Sequence, residues 1–402
     1  MTDRSTLVAA DSADGASAAP TYSLALLVRY FLKLGAIGFG GPVALVGYMH
    51  RDLVERRAWI SEADYRDGLA LSQLAPGPLA AQLAIYLGYV HYGILGATLV
   101  GVAFVLPSFV LVVAIGWAYR LYGGLSWVQA VFYGVGAAVI GIIALSAYKL
   151  TTKSIARSGL LWSVYLVAAV VTIVTESEEV LLFLGAGVLV WLVRRKPGPA
   201  DARGAAAAVG GLALPSLQGA LTSAATIGSA TLGQIFLFFT YAGTFVFGSG
   251  LAIVPFLYGG LVNERGWLTD QQFLDAVAVA LITPGPVVIT TAFIGFLLAG
   301  LAGATVAAFA AFFPAYVLTI IPAPYFKKHG KRPGIAAFVD GVTAAAIGAI
   351  SGAVVVLGRR SIIDVPTALL MVATIVVLWR WKMPEPAVVL AAALIGLVIY
   401  PG

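Results

Sequence analysis

The chain has 402 residues, of which 60% are hydrophobic and only 10% charged, with a mean hydropathy of +0.97. Too few polar residues remain to cover a soluble globule, so the chain reads as an all-α integral membrane protein. The absence of cysteine excludes disulfides, thiolate metal sites and cysteine nucleophiles. The formal charge of +6 sits in short loops between apolar runs, which is the positive-inside bias of membrane proteins and not a nucleic-acid patch.

Helix, not strand, is the reading of the apolar runs: they lack period-two alternation and several extend about 18 residues or more. Residues 1–20 are small and polar, a disordered tail without the basic start and apolar core of a cleaved signal. The first apolar segment, Tyr22 to Met49, is interrupted by Gly38-Phe39-Gly40-Gly41-Pro42 and is expected to be a broken helix. A polar connector from His50 to Asp67 carries Arg51, Arg56, Arg57, Trp59 and Arg66.

The next segment, to about Tyr92, contains Pro76-Gly77-Pro78. Proline at the first position ends one helix, proline at the third can begin another, and the glycine permits the change of direction between them. Gly93 to Tyr119 and Trp127 to Lys149 read as full spans, and Leu160 to Val174 and Val180 to Val193 as a shorter hairpin. The hairpin has acidic residues at its tip, Glu176, Glu178 and Glu179, and Arg194-Arg195-Lys196 after it, so its tip is expected to face outward. Residues 197–230 read as a linker.

Beyond the linker the chain repeats itself. An offset of 208 pairs Phe31 with Phe239, Gly35 with Gly243, Gly40 with Gly248, Arg57 with Arg265, Trp59 with Trp267, Asp67 with Asp275 and Pro76-Gly77-Pro78 with Pro284-Gly285-Pro286. After one deletion an offset of 207 pairs Gly93 with Gly300, Pro107 with Pro314, Gly134 with Gly341 and Gly141 with Gly348. The expected division is therefore an N-terminal membrane repeat at 21–196 and a C-terminal one at 231–402. Lys149, Lys153 and Arg157 follow the second full span of the first half, whereas Lys327, Lys328, Lys331 and Arg332 follow the first full span of the second. If basic loops stay in the cytoplasm, the halves cross in opposite senses, with roughly five crossings each if one of the two broken segments crosses and the other re-enters. Arg359 and Arg360 depart from that pattern.

Inverted repeats with broken helices near mid-membrane are a plan of secondary transporters. At each break, freed backbone N–H groups and helix ends are expected to point into a cavity that can hold an anion without a fixed buried charge. Tight helix packing is the competing role for the same glycines and prolines.

The combined pattern resembles the chromate ion transporter family. The resemblance lies in Gly38 to Pro42, in Glu55-Arg56-Arg57-Ala58-Trp59-Ile60-Ser61 and in Gln73-Leu74-Ala75-Pro76-Gly77-Pro78. The second half supplies the counterparts Phe247-Gly248-Ser249-Gly250, Asn263 to Thr269 and Thr283-Pro284-Gly285-Pro286. It implies export of an oxyanion, chromate or a sulfate-like anion, across the cytoplasmic membrane, driven by the proton gradient. The family commonly has Ala-His after its Gly-Gly-Pro, and this chain has Ala44-Leu45, so any role of that histidine is absent.

The candidate substrate residues are Lys33, Gly40, Gly41, Pro42, Ser72, Gln73, Pro76, Gly77, Pro78 and Gln82 in the first half. In the second they are Thr244, Gly248, Ser249, Thr283, Pro284, Gly285, Pro286 and Thr290. Lys33 is the basic residue nearest the Gly-Gly-Pro break, where an ammonium needs water or a counter-anion; snorkelling to the interface is the alternative. Asp67 and Asp275 each lie nine residues before their proline, about 13 Å along a helix, and are candidates either for proton coupling or for a capping or ion-pair role with Arg57 or Arg265 near the membrane edge. Trp59 and Trp267 read as interface anchors.

No nucleophile with a base, carboxylate pair or metal-ligand cluster appears in the apolar regions, and no phosphate-binding loop, so the chain reads as neither an intramembrane enzyme nor a directly ATP-driven pump, and calls for no cofactor. Carrier and channel both remain open, as do uptake of sulfate-like anions and assembly as a homodimer.

Overall fold

The computed structural model describes residues 22–39, 41–155, 158–176, 180–194, 231–244, 246, 250, 253–325, 333–381 and 383–401. Among these the regular elements are helical. The first half contains α1 (Leu24–Ile37), α2 (Gly41–Met49), α3 (Glu62–Leu74), α4 (Leu79–Tyr122), α5 (Ser126–Ser154), α6 (Gly159–Thr175) and α7 (Val180–Arg194). The second contains α8 (Leu232–Thr244), α9 (Ile253–Tyr258), α10 (Asp270–Ile282), α11 (Thr290–Ile320), α12 (Pro333–Ser361), α13 (Val365–Arg380) and α14 (Glu385–Ile399). Among the described residues four helical stretches are long and apolar enough to cross a membrane: α4, α5, residues 287–325 around α11, and α12.

The halves correspond element by element. Both α2 and α9 run on into π-helical turns, His50–Arg56 and Gly259–Glu264. Side-chain caps start the matched α3 and α10: Ser61 accepts from the amide of Asp64, and Thr269 and Gln272 form a reciprocal capping box. Each Pro-Gly-Pro ends one helix and admits the next, since α3 stops at Leu74 and α4 starts after Pro78.

At these breaks the chain doubles back. A Cβ on Gly68 of α3 would strike the ring of Tyr86 on α4, although the two residues flank Gly77 at a separation that would hold them far apart in a straight helix. In the second half, the Thr290 hydroxyl donates to the carbonyl of Ala276 across the same bend (2.8 Å). The Gly-Gly-Pro break folds α2 against α1, with the Tyr30 hydroxyl donating to the Tyr48 carbonyl (3.3 Å). A second reversal splits α4 at Gly93 (φ 58°, ψ −149°) and α11 at Gly300 (φ 60°, ψ −149°), a conformation that disfavours any side chain.

These reversals gather the feet of the folded-back helices. Tyr22, just before α1, stacks on Trp59 (4.9 Å) and bonds His91 through its hydroxyl (2.6 Å), while Tyr92 donates to the Tyr22 carbonyl. From Gly93 the second arm of α4 runs about 40 Å to Tyr119, and there its hydroxyl bonds Asp275 on α10 of the other half.

The remaining helices are exchanged between halves. Hairpin α6–α7 packs on α12, and hairpin α13–α14 packs on α5, while α5 and α12 pack on each other. The glycines paired in sequence do matched work: a Cβ on Gly134 would lie 2.1 Å from the Ala392 carbonyl oxygen, and one on Gly341 would lie 2.4 Å from that of Ala186. Gly141 likewise abuts Met371, and Gly348 abuts Tyr165. Small residues let backbones approach where lipid gives no hydrophobic drive to associate.

Arg57 and Arg265 do not pair with Asp67 and Asp275 as expected. Arg57 lies over the rings of Trp59 (4.5 Å) and Tyr30 (5.4 Å), and Arg265 over those of Phe238 (4.7 Å) and Trp267 (5.6 Å). An aromatic face beside the interface satisfies a guanidinium without drawing a carboxylate from the next helix.

Gly134→Ala and Gly341→Ala should each lower the thermal midpoint of the detergent-solubilised protein, by the equivalent of about 1–3 kcal/mol of overpacking. Gly136→Ala, where nothing lies within 4 Å of the added carbon, serves as the control and should leave the midpoint in place.

Candidate functional site

The four breaks meet at the centre of the molecule. The Gly77 amide donates to the carbonyl of Val246 (2.5 Å), and the Gly285 amide donates to the carbonyl of Gly38 (3.0 Å). Val246 and Gly38 are themselves matched at the 208 offset, so each Pro-Gly-Pro tip is bonded to the glycine-rich break of the other half. This corrects the expectation that the amides of Gly77 and Gly285 stand free in a cavity: a buried N–H without a partner is costly, and the facing break supplies a carbonyl to each. Gly77 has φ 145° and Gly285 φ 94°, both in the region that favours glycine.

The tips are seated differently. Ser108, fully buried on α4, donates to the Pro284 carbonyl at 2.6 Å and lies 3.5 Å from that of Gly35. A Cβ on Gly285 would come within 2.2 Å of its Oγ. The matched residue Ala315 presents only a methyl to Gly77. In compensation the first tip is held by Gln82, fully buried, whose Nε2 donates to the Pro76 carbonyl (2.8 Å) while its Oε1 has no protein partner.

Of the other candidates, the hydroxyls of Ser72, Thr244, Thr283 and Thr290 donate to backbone carbonyls of Gly68, Thr240, Ala280 and Ala276. Gln73 is exposed, and Pro76, Gly41 and Pro42 are half-buried. Pro78, Pro284 and Pro286 are buried at the tips. Gly40, Gly248 and Ser249 lie outside the described residues. Lys33 is on the exposed stripe of α1 with Leu26, Arg29 and Ile37, away from the face that packs on α4. A narrow cleft brings together Gly38, Gly41, Thr283 and Gly285 with Glu385, the first residue of α14.

A larger polar cavity of about 360 Å³ lies at the end of the molecule where α4 finishes. Tyr119, Tyr133, Gln271, Asp275, Arg360 and Tyr400 line it. Asp275 is only 3% exposed and accepts from the Tyr119 hydroxyl (2.6 Å) and from Gln271 Nε2 (2.8 Å). Asp67, its match, is half-buried on α3. Arg360 bonds both Asp270 and Glu176 at 2.5 Å, so the arginine that broke the loop-charge pattern is neutralised by two carboxylates. At the rim, Tyr133 donates to Asp364, and this bond together with those from Thr367 holds the Asp364 carboxyl below the usual carboxylate range.

Ser108, Tyr119 and Glu385 were not singled out from sequence. For the first two a signal existed: each breaks the repeat, Ser108 standing opposite Ala315 and Tyr119 opposite Phe326.

A bundle of apolar helices in which each Pro-Gly-Pro tip is bonded to the other repeat has the plan of a membrane transporter. The chromate transporter family profile matches residues 25–191 and 233–397. The chain is 65% identical over 384 residues to the chromate transport protein of Cupriavidus metallidurans, covering 95% of each chain. It is also 65% identical over 383 residues to the probable chromate transport protein of Synechococcus elongatus, covering 95% of this chain and 97% of that one. Identity to the chromate transport protein of Pseudomonas aeruginosa is 32% over 396 residues, covering 95% of this chain and 94% of the relative. The chain belongs to the chromate transporter family, a family of transporters and not of enzymes. No solved structure matches it significantly.

Gly77→Ala and Gly285→Ala should abolish transport while leaving membrane insertion intact. Each imposes about 1–2 kcal/mol of backbone strain at the tip, besides the clash. Because the clash at Gly285 is with Ser108 Oγ, adding Ser108→Gly to Gly285→Ala should restore part of the transport rate, and adding it to Gly77→Ala should restore none. Substrate uptake per inserted molecule is the measurement.

Proposed function

We propose that the protein exports chromate or a closely related oxyanion across the cytoplasmic membrane by alternating access, driven by the proton gradient. The observation that carries this reading is the reciprocal bonding of the four breaks, which puts helix ends from both halves at one central point. There the oxyanion would exchange with the inter-tip bonds: its oxygens would accept from the amides of Gly77 and Gly285 once the tips part, so that the same donors serve either the closed centre or the bound anion.

The two halves are inverted repeats, and the folded-back pairs α1–α2 and α3–α4 are re-entrant from one face, α8–α9 and α10–α11 from the other. Support comes from contacts: the feet of the first set cluster around Tyr22 and Trp59, whereas the foot of α10 meets the far end of α4 at Tyr119. The basic termini fall with the first set, since Arg194 at the end of α7 bonds Asp340 near the start of α12. By the positive-inside bias that face is cytoplasmic, and the face bearing Glu176, Asp270 and Arg360 is external. The protein resides in the inner membrane, with α4, α5, α11 and α12 crossing it.

Lys33 would stand on the cytoplasmic approach to the Gly-Gly-Pro break and attract the anion there. Lys33→Gln should then raise the substrate dissociation constant without lowering protein abundance, and Lys33→Arg should retain part of the affinity. Unchanged affinity in Lys33→Gln removes this residue from the route.

Single cysteines at Ser154 and Lys331 should both be labelled from the cytoplasmic side alone, and labelling of either from outside overturns the orientation. Inverted vesicles should accumulate chromate more strongly with an imposed pH gradient than without one, and sulfate should compete. Accumulation insensitive to the gradient overturns proton coupling, and none at all overturns the oxyanion reading.

A further inference from the structure

The pseudo-symmetry of the two halves fails at one interface, and it fails twice on the same helix face. Tyr119 and Ser108 are eleven residues apart on α4, three turns, so they project on one side about 16 Å from each other. Asp275 and Pro284 are nine residues apart along α10 and its tip, about 13 Å. The two hydroxyls meet these two partners: Ser108 Oγ bonds the Pro284 carbonyl at 2.6 Å, and Tyr119 Oη bonds Asp275 Oδ2 at 2.6 Å. The second arm of α4 and the α10 hairpin are thus joined by two hydrogen-bonded rungs, one at the central tip and one at the external end.

At the matched interface, between α11 and the α3 hairpin, Ala315 stands in place of Ser108 and cannot donate a hydrogen bond. Phe326, the sequence counterpart of Tyr119, carries no hydroxyl and lies outside the described residues. Asp67 is correspondingly half-buried, whereas Asp275 is enclosed.

Resting on the proposed proton-driven export, we infer that Asp275 and Tyr119 form a proton-operated lock on the external side, joining α10 of the second half to the second arm of α4 in the first. The outer rung is a charge-assisted bond from a phenol to a carboxylate, the strong kind, and it ties the helix that carries the Pro284-Gly285-Pro286 tip to the other half. A proton that adds to the Asp275 carboxylate removes that assistance, while Tyr119 keeps its own proton; α10 is freed at its external end, and loss of the proton restores the rung. Protons reach the site through the polar cavity, whose rim residues Gln129, Gln271 and Ile363 are exposed.

The other groups facing this site leave Asp275 as its acceptor of protons. Gln271, on the same helix, and Tyr119, on α4, are donors to it. Arg360 of α12 is held by Asp270 and Glu176, and Tyr133 of α5 donates to Asp364. Tyr400, after α14, bonds Gln129 at 3.2 Å. Phe132 and Phe293 pack on the Tyr119 ring at 5.4 and 5.5 Å and fix its direction.

The test uses the full chain in inverted vesicles, whose lumen corresponds to the external face, with bath pH fixed and lumenal pH varied. Chromate accumulation by the parent should depend on lumenal pH. Tyr119→Phe, which removes one hydroxyl and keeps the ring contacts, should lose that dependence, and Asp275→Asn, which imitates the protonated side chain in charge, should lose it too. The double variant should match either single one, because both delete the same rung. Asp67→Asn should keep the lumenal pH dependence whatever it does to the rate. Should Asp275→Asn fail to reach the membrane, Tyr119→Phe decides alone. Parental pH dependence in Tyr119→Phe overturns the lock, and so does its loss in Asp67→Asn. A parent that accumulates no chromate defeats the transport reading, whereas one that accumulates it regardless of lumenal pH defeats only the lock.

Discussion

Two backbone hydrogen bonds, Gly77 to Val246 and Gly285 to Gly38, are the constraint from which the architecture follows. A helix broken inside an apolar environment leaves amides and carbonyls that lipid cannot satisfy. Here each half completes the other. The amides of Gly77 and Gly285 both find their acceptors in the opposite repeat, so the halves must interlock, and a glycine is required at each tip because a Cβ would meet Gln82 and Ala315 on one side and Ser108 on the other. The exchanged hairpins extend the same dependence to the periphery: Gly134 and Gly341 receive the last helix of the opposite half against their bare backbones. Two repeats that might have stood side by side instead form a single interdigitated body.

Such a body is suited to changing shape around its centre. The inter-tip bonds are backbone bonds, insensitive to side-chain identity, and an anion whose oxygens replace the two carbonyls would leave both amides satisfied. Closed and occupied states can then have similar energies, which is the condition for a ligand of modest differential affinity to move the equilibrium. A centre built on fixed buried charges would be harder to cycle, because each empty state would strand an ion.

Much of this was legible in the sequence because the repeat made it so. The 208 offset located both sets of breaks, and the paired glycines at 134 and 341 and at 141 and 348 were visible before their packing was known. What sequence could not supply was the partner of each break. Expecting free amides at Gly77 and Gly285 was reasonable for one half considered alone and failed because the acceptor belongs to the other half, about 170 to 250 residues distant. The ion pairs assigned to Arg57 and Arg265 failed for a related reason: the aromatic rings that receive them were in view, yet their competition with Asp67 and Asp275 depends on helix directions that spacing does not fix. Lys33, chosen for its closeness to the break along the chain, lies on the exposed face of α1 because proximity in sequence specifies depth on a helix and not azimuth.

The residues that escaped notice are those where the repeat is imperfect. Ser108 and Tyr119 look unremarkable in a helix full of hydroxyl and aromatic residues until Ala315 and Phe326 are set beside them. A strictly symmetric transporter would have equivalent energetics from both faces and no structural basis for sensing one solution differently from the other. Asymmetric polar contacts at otherwise matched positions are the least disruptive way to create that difference, since they alter hydrogen bonding without altering the packing that holds the halves together. The same reasoning covers Arg360. Its counterpart at the 207 offset, Lys153, forms no ion pair among the described residues, whereas Arg360 draws Glu176 of the exchanged hairpin and Asp270 of the α10 foot to one point. The end of the molecule that bears Arg360 is consequently the end where three elements from both halves are cross-linked by charge, and the two ends differ in their polar residues on a frame that is matched in its apolar ones.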